Sequence, residues 1–275
     1  LRSRRVGERY TFKHALLQQI AYNSLPHNER VEQHLNTAMT LESSFPKLAM
    51  AEPGVLRYHF HQGENASKAI TYSIAVVKQA QRISAEDVAY EVLQESIAWL
   101  DAVTDPEERF GLELELYATL LLTLLTTTGY GSPETSEVLD HLGEMVEGLE
   151  AVAEVYPIRS ARMTFFAARG DHKASLDLGE ENLVIARRLN DPAALFDALV
   201  TLGGGALQIS SLNERADALL TEAWTYIDDV DDDHFLENYG LAKGVALCIM
   251  MARLKTRLGY LDDGALWVDR AIHLA

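Results

Sequence analysis

Histidine pairs, aspartate runs and a triple glycine are the features of this 275-residue sequence with the residue types for chemistry. His59 and His61 stand two apart, which on a helix directs them to different faces; a zinc-binding helical pair sits four apart. Asp228, Asp229, Asp231, Asp232 and Asp233, followed by His234, could attract a hard cation. That run lacks the central glycine and terminal glutamate of a calcium loop and reads as a solvated turn. Gly203-Gly204-Gly205 could cradle a phosphate, but no lysine follows and the flanks Ala198, Leu199, Leu202, Ala206 and Leu207 are those of a packed helix. Close helix contact or a helix break accounts for the glycines. Glu91 with Glu95, and Glu113 with Glu115, are carboxylate pairs of the kind used in acid/base work, here on acidic helices where such groups face solvent. No nucleophile elbow or Cys/His pair accompanies them. The sequence therefore offers no catalytic residue and no metal site.

Composition narrows the classes further. A formal net charge of -17 would repel a phosphate backbone, so nucleic acid is excluded as a partner. The charge is uneven, with six basic residues against three glutamates over residues 1–35 and -20 on the remainder. Two units are expected from that asymmetry. Cys248 is the only cysteine, which rules out an internal disulfide and fits a reducing cytoplasm. The uncharged run Leu116 to Pro133 carries five threonines and two glycines and reads as a buried helix and turn, not a membrane span. The chain starts at Leu1 without a methionine and stops within an amphipathic pattern (Trp267, Val268, Ala271, Ile272), so truncation at both ends is expected.

The elements that position these residues are helices. Asp105-Pro106 followed by Glu107 and Glu108 is a helix start with a capping side chain, a proline at the first position and acidic residues at the positive end of the dipole. Asp191-Pro192 and Ser132-Pro133 repeat the device. From Ala174, residues Leu178, Ile185 and Leu189 follow one helical face, with Asp177, Glu181, Arg187 and Arg188 opposite. One strand is expected, at Arg9-Tyr10-Thr11-Phe12. Beyond residue 45, about ten helices in antiparallel pairs are predicted.

Three stretches share a plan of turn, small residue and helix face, at Gly63 to Tyr72, Ser211 to Ala216 and Gly259 to Ala265. In the third, Gly264 and Ala271 stand seven apart; in the second, Leu199, Leu202 and Gly203 occupy the preceding helix. This pattern resembles the tetratricopeptide repeat, whose small residues let paired helices approach and whose stacked pairs share one core. The resemblance implies an all-α, tetratricopeptide-like superhelix of antiparallel helical hairpins over residues 45–275, truncated at the C-terminus.

Phe12-Lys13-His14-Ala15-Leu16, with Ala21-Tyr22 and Leu25, resembles the end of the winged-helix domain of bacterial STAND/AAA-type signalling ATPases. These include adenylate/guanylate cyclases, LuxR-type transcriptional regulators and some Ser/Thr kinases. Thr128-Gly129-Tyr130-Gly131-Ser132-Pro133-Glu134 is similar to a segment of their helical arm, and Tyr239-Gly240, Val245-Ala246 and Leu258-Gly259-Tyr260 to its later hairpins. The resemblance implies a winged-helix remnant at residues 1–44, an ATPase domain preceding it, and a non-catalytic regulatory role. ATP or ADP and magnesium would belong to the parent protein. His14 matches a histidine that senses bound nucleotide there, although Lys13 and Ala15 depart from the methionine-histidine-aspartate form. The groove of the arm would hold a protein segment or small effector, with Tyr117, Trp224 and Tyr239 as candidate contacts. The alternatives are an enzyme domain with an inter-helical site, and a structural oligomerisation spacer.

Overall fold

A computed structural model describes residues 15–147, 149, 156–231, 235–236 and 242–275. The described residues are all-helical, with no strand among them. The helices are α1 (Ala15–Asn23), α2 (His27–Ser44), α3 (Pro46–Ala51), α4 (Pro53–Gln62), α5 (Ala66–Arg82), α6 (Glu86–Ile97) and α7 (Pro106–Thr127). They continue as α8 (Pro133–Met145), α9 (Tyr156–Ala168), α10 (His172–Leu189), α11 (Pro192–Leu207), α12 (Asn213–Trp224), α13 (Lys243–Arg257) and α14 (Leu261–Leu274). The expected strand Arg9 to Phe12, and His14 with it, lie outside the described residues.

The chain forms two compact units, Leu1–Glu113 and Leu114–Ala275. In the first, α4 packs on α5, α5 on α6 and α2 on α4. Leu56, Phe60, Ala38 and Ala69 form the buried centre of that packing. In the second, each helix from α9 to α12 packs on its successor, and α13 packs on α14. Contacts of α11 with α9 and of α11 with α13 join alternate helices into a row, with α12 also against α13. These are stacked helical hairpins.

Local chemistry sets the helix starts. Asp105 Oδ1 accepts the Glu108 amide at 2.8 Å, Ser132 Oγ the Thr135 amide at 3.0 Å, and Asp191 Oδ1 the Ala193 amide at 2.9 Å. Each satisfies an amide that the first helical turn leaves without a partner. The same role falls to Asn65 and Asp171, which cap α5 and α10.

The triple glycine lies inside α11, where twelve of sixteen residues are buried. A Cβ on Gly203 would come 2.7 Å from Leu220 of α12, and one on Gly204 would come 2.8 Å from Met250 of α13. The glycines therefore let neighbouring helices close on α11 from two sides, which offsets a helix propensity about 1 kcal/mol poorer than alanine at each position. Gly63 works the same way in the first unit, since a Cβ there would stand 2.9 Å from the backbone nitrogen of Leu35 in α2. Its φ of -87° is open to any residue, so close approach and not turn geometry selects glycine at 63. Gly259, at φ +90°, is a true turn glycine.

Among the described residues, α7 alone is long and apolar enough to cross a membrane by length and composition, with a mean hydropathy of 1.3. Leu116, Thr119, Leu120, Leu121, Thr123 and Leu124 of that helix are buried in the protein.

Candidate functional site

Polar side chains from different helices converge in each unit. In the first unit, α1, α2 and α4 bring together Tyr22, His34 and His59. His34 Nδ1 lies 2.9 Å from His59 Nδ1, and Tyr22 Oη lies 2.9 Å from His34 Nε2. One of the two facing nitrogens must carry the proton and the other accept it, so the bond exists only while at least one imidazole is neutral. If His34 donates to His59, its Nε2 accepts from the tyrosine; if His59 donates, His34 donates onward to Tyr22. Tyr58 stands edge-on to both rings, and the Arg30 guanidinium lies 5.3 Å from the Tyr22 ring centre. Burial lowers the pKa of His34, and Arg30 lowers it further. Burial also lowers His59, helped by the neighbouring His34. Desolvation and like charge both favour the neutral rings.

His61 points elsewhere, as the two-residue spacing implies. Its ring stacks on Trp99 at 4.1 Å, while the Arg57 guanidinium sits 4.8 Å from the same indole. Arg57 is paired with Glu95 and donates to Ser73 Oγ at 3.0 Å. Glu95 of the Glu91/Glu95 pair is thus a structural partner of α4, and Glu91 is exposed.

In the second unit, the fully buried Asp197 of α11 meets Lys243, the first residue of α13, at 2.7 Å between Oδ1 and Nζ. Lys243 also donates to Thr201 Oγ1 at 3.1 Å, and Thr201 in turn reaches Asp197 Oδ1 at 3.2 Å. Among the described residues, Asp197 Oδ2 has no hydrogen-bond partner. Two tyrosines feel that carboxylate. Tyr156 is buried, donates to the Asn182 carbonyl at 3.3 Å, and has its pKa raised by burial and by Asp197. Tyr130 is pushed up to about 12, mainly by burial, with Asp197 adding and a hydrogen bond to Thr164 opposing. Both phenols therefore stay protonated, and Tyr156 serves as a hydrogen-bond donor. Nothing in the spacing of 130, 156, 197 and 243 announces this cluster. Asp197 alone carried a signal, as a charged residue inside the most apolar helical stretch.

The remaining sequence candidates are dispersed. Tyr117 lies against His141 at 4.1 Å, Trp224 is edge-on to Trp267 at 4.7 Å with Arg270 over both indoles, and Cys248 is buried. Asp228 and Asp229 sit in a short 3-10 turn; Asp232, Asp233, His234 and Tyr239 lie outside the described residues. Among the described residues no three His, Cys, Asp or Glu side chains are grouped to hold a metal. Two open surface grooves adjoin α9. One, of about 490 Å³, is lined by Arg159, Glu180, Glu181, Val184, Ile185 and Arg188, and the other, of about 450 Å³, lies towards Asp140, Glu144 and Arg162.

No family model and no curated protein matches the chain. Among solved structures, BtubC (BKLC) from P. vanneervenii is similar, with a TM-score of 0.60 over 95% of this chain and 91% of that chain, at 15% sequence identity. At that identity the likeness is one of fold alone.

Proposed function

We propose that this chain is the non-catalytic, regulatory helical-repeat arm of a larger signal-transduction ATPase, and that it binds a protein segment or a small effector. The observation that carries the reading is where the charged side chains go. Asp197 to Lys243, Asp217 to Lys255 at 2.6 Å, Glu180 to Arg215 and Glu222 to Arg187 at 3.2 Å each tie one helical hairpin of the second unit to another. Polar groups placed this way hold a scaffold in register, as expected of a repeat array whose units contact mainly their neighbours. The stack leaves long helical surfaces on an acidic molecule, which favours a basic partner segment.

The parent ATPase rests on the resemblance of Phe12 to Leu16 and Thr128 to Glu134 to the signalling ATPases. In that parent, ATP or ADP and magnesium would bind in the domain preceding this arm, with His14 sensing the nucleotide, and the output would be a cyclase, a kinase or a transcription regulator. The protein would work in the cytoplasm. Equilibrium binding of a fluorescent ATP analogue to the product of the complete reading frame and to the 275-residue chain tests the reading. Binding by the longer protein alone supports it. Binding by the chain alone refutes it.

A further inference from the structure

His59 finds its partner not in His61 but in His34, and the two imidazoles have the spacing of a ligand set. Their Nδ1 atoms face each other at 2.9 Å across the packing of α2 on α4. Two ligands about 2.0–2.1 Å from one ion and at right angles to each other stand about 2.9 Å apart, and at the tetrahedral angle about 3.3–3.4 Å. The observed separation is therefore that of adjacent corners of a square-planar or tetragonal ion. The ion sits to one side of the line between the nitrogens, so each ring turns towards it. The ring planes are already inclined by 42°, and His59 is half-buried, with Tyr58 beside it 51% exposed. That side gives an ion its way in. Tyr22 supplies outer support, with its Oη 2.9 Å from His34 Nε2. When the phenol oxygen accepts the Nε2 proton, the Nδ1 lone pair of His34 is left to the ion. Metal-binding imidazoles are oriented in this way by an acceptor on the second ring nitrogen.

We infer that His34 and His59 form a two-imidazole site for a divalent transition-metal ion, copper(II) ahead of nickel(II) and zinc, which ties α2 to α4. Copper(II) leads because it heads the affinity order for nitrogen ligands and takes tetragonal geometry, whereas tetrahedral zinc requires the nitrogens to part by roughly 0.4–0.5 Å. Both rings stay neutral on binding. His59 gives its Nδ1 proton to solvent and takes one at Nε2, so no net proton is released. Burial lowers both pKa values, with Arg30 adding at His34 and His34 adding at His59, so protons do not compete with the ion at neutral pH. The Arg30 guanidinium opposes a divalent ion as it opposes a proton, and this limits the affinity. Among the described residues no third His, Cys, Asp or Glu completes a cluster, so water or a donor from a bound molecule fills the remaining positions. Such a site exchanges its ion, unlike a closed structural zinc site with four protein ligands. Its residues lie within α1, α2 and α4, so it stands independently of the proposed parent ATPase.

Isothermal titration calorimetry of the 275-residue chain with copper(II), in the presence of glycine as a weak competing ligand, tests the inference. A single saturable site is expected, together with a raised melting temperature. His34→Phe and His59→Phe should each weaken binding about tenfold or more, and Tyr22→Phe, which loosens the His34 ring, about tenfold. His61→Phe, whose ring lies against Trp99, should bind as the wild type does. Because His34 is buried and also packs, electron paramagnetic resonance of the copper-loaded wild-type chain gives a readout that needs no variant. Two equatorial imidazole nitrogens are expected. Copper left with the glycine, a spectrum with fewer than two such nitrogens, or binding that survives His59→Phe unchanged overturns the inference.

Discussion

Acidification should weaken the first unit at one identifiable bond. His34 and His59 share a single N–H between their Nδ1 atoms across the packing of α2 on α4, and both pKa values lie below the ordinary value of 6.5. The unfolded chain takes up protons at its ordinary value while the folded chain resists them. Stability is therefore full above about pH 6.5 and is lost as the pH falls through the lowered folded values. When the second imidazole is protonated no acceptor nitrogen remains, and two like charges face each other at 2.9 Å. The loss is that of a hydrogen bond left unmade in a half-buried site, about 1–3 kcal/mol. For a unit of roughly a hundred residues each kcal/mol lowers the midpoint by about 4–8 °C, so a fall of at least that size is expected on going from neutrality to about pH 5. Thermal melts followed by circular dichroism measure it. His61, also lowered by burial, adds a slope of the same sign, so the pair is isolated by a cycle of His34→Phe, His59→Phe and the double variant. Each single variant should flatten the pH dependence, and the double variant should add little more. If either single variant keeps the full wild-type slope, the shared proton is not the origin of the effect.

Other expectations follow from the packing. Asp197→Asn or Lys243→Met removes one charge of a buried ion pair and should cost about 3–5 kcal/mol by denaturant melts, whereas combining Asp197→Leu with Lys243→Met should recover much of it. Gly63→Ala drives a methyl to within 2.9 Å of the Leu35 backbone, which cannot swing aside, and should cost about 1–3 kcal/mol. Gly204→Ala, which meets only the flexible end of Met250, should cost clearly less in the same melts. Ser132→Ala and Asp191→Ala should each cost about 1 kcal/mol through lost helix caps.

What the sequence made legible was local. The starts of α7, α8 and α11 follow from Asp105, Ser132 and Asp191 with their adjoining prolines, because a cap needs only residues within three positions. The divergence of His59 and His61 follows from helical periodicity, and the buried triple glycine from its apolar flanks. The small residues Ala216, Gly264 and Ala271 marked the hairpin contacts in advance. What stayed hidden depends on long-range approach. His34 meets His59 across twenty-five positions, and Asp197 meets Lys243 across forty-six, with no periodic signal linking either pair. Gly63 was legible as glycine but not as a contact with α2, since its reason is the backbone of a helix nearly thirty residues earlier.

The central claim is that this chain regulates and binds while chemistry resides in a preceding domain. Steady-state ATP turnover by the product of the complete reading frame, by the same protein lacking residues 45–275, and by the 275-residue chain tests it most directly. The account predicts turnover in the first, an altered rate in the second, and none in the third. Turnover by the chain alone, or an identical rate with and without the arm, would contradict it.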